Sequence, residues 1–126
     1  MPKGDLHKSI VIRILEKVGW RIFADPFSVP FGRRNVQIVL GIERLIGIER
    51  DHIKCLVEIK SFSSGSLLGD LERAIGQYAI YKLALELKQI DYLLYLTFPE
   101  STYAELNQLM LNWLITGRLR TIDRFS

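Results

Sequence analysis

Apolar residues recur every four positions near the start of the chain: Leu6, Ile10, Ile14 and Val18, with Val11 and Leu15 beside them. That stripe predicts an amphipathic helix. Asp5 suits its N-terminus and Gly19 its stop. Beyond Gly19 the period shortens. Trp20 to Ala24 and about Asn35 to Leu40 read as strands, with the Pro26, Pro30 and Gly32 region as the turn between them. The stretch "IERLIGIERDH" reads as a connection whose form the pattern leaves open. Its "GIER", at 41–44 and 47–50, is too brief a repetition to signal a repeat architecture. "IKCLVEIKSF" is the next strand, and "SSGS" breaks it. Ser66 is placed as the N-cap of a long helix to about Gln89, with Leu71, Ile75, Tyr78 and Leu85 on its apolar stripe. "DYLLYLTF" reads as a buried strand. Pro99 opens a helical region to about Ile115, Gly117 ends it, and "RLRTIDRF" is a last edge strand. The order α-β-β-β-α-β-α-β predicts an α/β fold, a central mixed sheet flanked by helices on both faces.

Composition narrows this little. The chain has 126 residues, 48% hydrophobic and 25% charged, which suits one folded domain with its own core. Charged residues interrupt every apolar run before it could span a membrane. The basic, apolar N-terminus lacks a small-residue cleavage site, so no signal peptide is expected. The single cysteine, Cys55, cannot form an intrachain disulfide and no Cys/His cluster suggests zinc, so a reducing cytoplasm is the simplest compartment. A net charge of +3 permits nucleic-acid binding without demanding it. The densest basic groups are Arg33-Arg34 and the late trio Arg118, Arg120 and Arg124; for each alone, solvated surface charge is the simpler reading.

The informative stretch is "VEIKSF", residues 57–62. Residues two apart on a strand share a face, so Glu58 and Lys60 point one way while Val57, Ile59 and Ser61 point the other. Burying a charge costs several kcal/mol unless it is paired or bound. Either the pair lies on a half-exposed face, as the commonness of E-x-K suggests, or it is a site. In the second case Glu58 is a metal ligand and Lys60 stabilises charge at a phosphodiester. The helix that follows carries "GQYAIY". Gln77 and Tyr81, four apart, lie on one helical face and both reach towards the strand, although a core tyrosine alone would be unremarkable.

Helix, strands and helix around a Glu-x-Lys resemble the core of the PD-(D/E)XK nucleases, and Gln77-x-x-x-Tyr81 resembles the Q-x-x-x-Y element of their RecB-like branch. Over nearly the whole chain, "GWRIFADPFSV", "VLGIERLIGIE", "VEIKSF", "DLERAIGQYAIY" and "YLLYLTFPESTY" resemble the XisH family, the fdxN-element excision controlling factors, small and mostly cyanobacterial proteins. The resemblance implies a restriction-endonuclease-like fold, a role in programmed excision of a DNA element, DNA as ligand and a partner of the XisI family. It assigns catalytic positions to Glu58, Lys60, Gln77 and Tyr81, with Glu58 as ligand to Mg²⁺.

One position departs. Where the family has an aspartate in a V-D-L-G-A-E pattern, this chain reads "IVLGIE": Gly41 and Glu43 match, and Val39 stands at the aspartate. Mg²⁺ takes oxygen ligands in octahedral geometry, usually with one or two carboxylates, and it lowers the pKa of the attacking water. With Val39 there, cleavage is expected to be weak or absent. Substitute ligands would have to come from Gln37, Glu43, Asp51 or His7. His52, in a loop, and Cys55, a buried small residue, are expected to be bystanders. Three readings remain: a non-catalytic or weakly catalytic excision factor, an Mg²⁺-dependent endonuclease with a substitute acid, and a protein-interaction module. An edge strand near the C-terminus would offer a route to a homodimer.

Overall fold

A computed structural model describes residues 3–46, 51–99, 101, 102, 104 and 105. The elements run α1 (Lys3–Lys17), β1 (Arg21–Ala24), β2 (Phe27–Phe31), β3 (Arg34–Ile38), β4 (Leu40–Ile46), β5 (Asp51–Ile59), α2 (Leu67–Leu87) and β6 (Leu93–Thr97). The main sheet has the order β1-β4-β5-β6. β1, β4 and β5 pair antiparallel, and β6 joins β5 in parallel. The parallel pair needs a crossover, which α2 supplies. The sheet is therefore mixed, as expected.

Both helices end where the sequence places a stop. Gly19 has φ +100°, its N–H donates to the Glu16 carbonyl, and that of Trp20 donates to Leu15. Those two bonds form a Schellman motif, which favours glycine at the left-handed position. α2 ends the same way without glycine: Gln89 has φ +55°, and the N–H groups of Gln89 and Ile90 donate to Glu86 and Leu85. At the start of α2, Ser66 Oγ accepts from the Gly69 N–H at 3.1 Å, confirming the expected cap.

The two helices cover opposite faces of the sheet. Val11 and Leu15 of α1 pack on Leu40, Ile42, Cys55 and Val57. Leu71, Tyr78, Ala84 and Leu85 of α2 pack on Leu56, Leu94 and Leu96. The alternation along β4, β5 and β6 sends successive residues to the two cores, and Cys55 is buried as expected.

Three expectations for the strands change. The region around Pro26, Pro30 and Gly32 is not a simple turn. It holds β2, which pairs antiparallel with β3 as a separate two-stranded ribbon. Its turn centres on Gly32 and Arg33, with Gly32 at φ +62°, the positive φ that a tight hairpin takes at its first central residue. The strand expected over about Asn35 to Leu40 is therefore two strands, β3 and β4, separated at Val39. "IERLI" belongs to β4 and "DH" opens β5, so His52 lies on a strand rather than in a loop.

Of the expected C-terminal helix, residues 101, 102, 104 and 105 are helical. Its continuation to about Ile115, Gly117 and the edge strand "RLRTIDRF" lie outside the described residues. Among the described residues no helix is long and apolar enough to cross a membrane.

Candidate functional site

Glu58 sits on β5 between β4 and β6, on the α2 side of the sheet, since its register partner is Leu96. It is 5% exposed. The carboxylate has two partners: Oε1 accepts the backbone N–H of Val39 at 3.1 Å, and Oε2 lies 3.3 Å from Lys60 Nζ. Both partners favour the charged form, yet burial outweighs them and pushes the carboxyl above its ordinary value, with Lys60 the strongest opposing influence. Glu58 is therefore buried while its partner Lys60 stays partly exposed, so the pair spans the edge of the half-exposed face that spacing alone favours.

Tyr81 is buried on α2, and burial, helped by the charge on Glu58, pushes its phenol up to about 12. It remains a neutral hydrogen-bond donor near the carboxylate. Gln77 lies one turn earlier on the same helical face. Its Oε1 is buried and meets no hydrogen-bond partner among the described residues. Such an atom costs about 1–3 kcal/mol if left unsatisfied. The fold thus gathers Glu58, Lys60 and Tyr81, and sets Gln77 over the same side of the sheet.

The substitute ligands fare differently. On one continuous strand Gln37, two before Val39, would share its face, but the strand is interrupted between β3 and β4. Gln37 instead points to solvent from the ribbon, where its Nε2 donates to Ser28 Oγ at 3.3 Å. Glu43 lies within β4, not beyond the strand. It is buried, Arg21 Nε donates to its Oε1 at 2.8 Å, and Arg21 Nη2 contacts the same oxygen. Its register partner is Lys54, four residues along β5 from Glu58. His7 precedes Val11 by one helical turn and so belongs to the face of α1 that packs on the opposite side of the sheet. Burial lowers its pKa, and its Nε2 has no partner among the described residues. The side chains of Asp51 and His52 lie outside the described residues.

The residues that match the family pattern at 41 and 43 have structural duties. A Cβ on Gly41 would lie 2.7 Å from Phe23 Cζ, closer than packed carbons allow, so any larger residue would have to displace that ring. Glu43 anchors β1 to β4 through its cross-strand partner Arg21.

The sequence reading missed a cleft of about 290 Å³ beside Lys60, lined by Ser61, Phe62, Ser63, Ser64, Asp70 and Arg73. Phe62 takes φ +54°, an uncommon conformation for a bulky residue, and its ring meets that of Phe98. Arg73 Nη2 holds Asp70 Oδ1 at 2.6 Å. Hydrogen bonding from the Ser64 side chain, then from Arg73, keeps the Asp70 carboxyl below its ordinary value. The signal lay in "SSGS", read only as a break, and in "DLER", where spacing alone placed no role.

Glu58 is a single carboxylate with both oxygens engaged, and among the described residues no three His, Cys, Asp or Glu side chains converge to hold a metal. As arranged, this donor set does not fit Mg²⁺, which binds through one or two carboxylates with free oxygen positions, because both Glu58 oxygens are already engaged.

Residues 1–120 match the family model described as XisH protein. The crystal structure of an XisH family protein from Nostoc punctiforme PCC 73102 is similar with a TM-score of 0.76 and 31% identity, over 90% of this chain and 86% of that one. That of a fdxN element excision controlling factor protein from Anabaena variabilis is similar with a TM-score of 0.77 and 30% identity, over 91% and 86%. No curated protein matches.

Proposed function

The chain belongs to the XisH family, and on that premise we propose that it is a DNA-binding controlling factor for excision of a DNA element. In this reading a nuclease-like scaffold carries a degenerate metal site and acts with a partner of the XisI family. The similar protein from Anabaena variabilis is called an fdxN element excision controlling factor, and that role is carried over here as part of the proposal.

The observation that supports the reading best is the contact between Val39 and Glu58. The backbone N–H of Val39 donates to Glu58 Oε1, while its isopropyl group packs with the α1-side core. A hydrocarbon at this position offers no oxygen ligand, and Glu58 binds the Lys60 ammonium rather than a metal ion. What remains is a set of hydrogen-bond donors: the Lys60 ammonium and the Arg73 guanidinium, each paired with a carboxylate, and the neutral Tyr81 phenol. Such groups hold a phosphodiester in place without activating water to attack it.

The test is nicking of supercoiled plasmid in Mg²⁺ and Mn²⁺. The expected outcome is no cleavage by the natural chain, and metal-dependent cleavage by Val39→Asp that Lys60→Ala abolishes. Cleavage by the natural chain, lost in Lys60→Ala, would overturn the proposal in favour of a working endonuclease. A chain that neither cuts nor retards DNA would be an interaction module.

A further inference from the structure

The β2–β3 ribbon stands apart from the main sheet and has two unlike faces. Phe27, Val29, Phe31, Val36 and Ile38 pack with the α2-side core. The opposite face presents Ser28, Pro30, Asn35 and Gln37, all exposed; at the tip of the ribbon Arg33 and Arg34 are exposed too, Arg34 on the side of Val36 and Ile38. From Pro26 to Ile42 the sequence contains no Asp or Glu. Neither tip arginine joins an ion pair among the described residues, whereas Arg21, Lys60 and Arg73 each face a carboxylate. The ribbon is therefore a positive projection with an amide- and hydroxyl-bearing face and no internal counter-charge.

We propose that this ribbon is a DNA-backbone-contacting arm, in which Arg33 and Arg34 neutralise phosphates of duplex DNA. The inference rests on the DNA-binding reading above. Its geometry follows from the root of the arm. β3 runs directly into Val39, the residue whose N–H binds Glu58. Five strand residues at about 3.4 Å each place the arginines about 17 Å from that point. At about 3.4 Å per base pair, this separates the two contacts by about five base pairs of one duplex. A two-stranded ribbon is narrow enough for the major groove. The outward amides of Asn35 and Gln37 would meet the DNA, while the tip arginines take the backbone.

The test is fluorescence anisotropy of a labelled duplex with the full 126-residue chain, read as log K against log salt concentration. Each phosphate contact contributes about 0.9 to the slope. R33A/R34A is expected to flatten the slope by about 2, to weaken binding equally on unrelated sequences, and to leave the thermal midpoint unchanged. R13A, an exposed arginine on α1, serves as control and is expected to keep the natural slope. Natural binding with an unchanged slope in R33A/R34A would overturn the arm and leave the DNA-binding reading standing. An equal loss in R13A would also overturn it, by showing that the attraction belongs to overall charge. If the natural chain binds no duplex, both readings fall together.

Discussion

The two faces of the main sheet are built from the same strands by opposite rules. On the α1 face, Val11, Leu15, Leu40, Ile42, Cys55 and Val57 form an apolar layer. On the α2 face, the same strands carry Glu43 and Glu58, both buried, under a helix that supplies Gln77, Tyr78 and Tyr81. A fold needs the first kind of face, because hydrocarbon burial stabilises at about 25 cal/mol per Å². It has no need of the second, since a buried carboxylate lowers stability unless its partners compensate. The contrast separates structure from chemistry on one sheet: α1 holds the strands in register, and α2 closes over the groups that stability alone would not select. Even the α1 face makes concessions, since Thr97 Oγ1 and His7 Nε2 are buried without partners among the described residues.

Breaking the apolar face should have the largest effect on stability. Ile42→Ala removes a fully buried side chain and should lower the unfolding free energy by about 2–5 kcal/mol, read from urea denaturation. DNA binding by the folded fraction should be unchanged; a selective loss of binding would erase the distinction between the faces. Lys60→Ala strikes the other face. It leaves Glu58 buried without its cation and should cost about 1–3 kcal/mol, the range for a buried polar group stripped of one partner, since Lys60 is itself partly exposed. Urea titrations across pH should show little of the loss in acid, where Glu58 is protonated, and more of it as rising pH ionises the carboxyl.

The smallest effect should have the opposite sign. Burial raises the pKa of Glu58 in the folded chain, so the fold prefers the protonated carboxyl. The associated stability is fully present below the unfolded value, near 4.5, and is lost as pH rises through the folded value. Glu58→Gln keeps an oxygen for the Val39 N–H and removes the buried charge. It should therefore match the natural chain in acid and exceed it slightly in melting temperature at neutral pH. A drop at neutral pH would mean that the bond to Lys60 outweighs desolvation.

The sequence reveals these two faces unequally. The α1 helix, the α2 cap at Ser66 and the Glu58–Lys60 alternation follow from local periodicity and capping chemistry, and the structure has all three. The ribbon was hidden because Pro26, Pro30 and Gly32 look like punctuation. The period-two signal of Phe27, Val29 and Phe31 was present, and Pro30 is tolerated because β2 has only one ribbon partner. Glu43 was hidden because its partner Arg21 lies 22 residues away in sequence. The cleft at Arg73 depends on the Ser61 to Ser66 loop folding back over the start of α2, a tertiary arrangement that no spacing encodes.

Only Val39 separates β3 from β4. A connection of one residue has no slack. The inclination of the ribbon and the direction in which the Val39 N–H points are thus a single degree of freedom. Inserting even one residue there would detach the two, and the carboxylate of Glu58 would lose the donor that fixes its orientation.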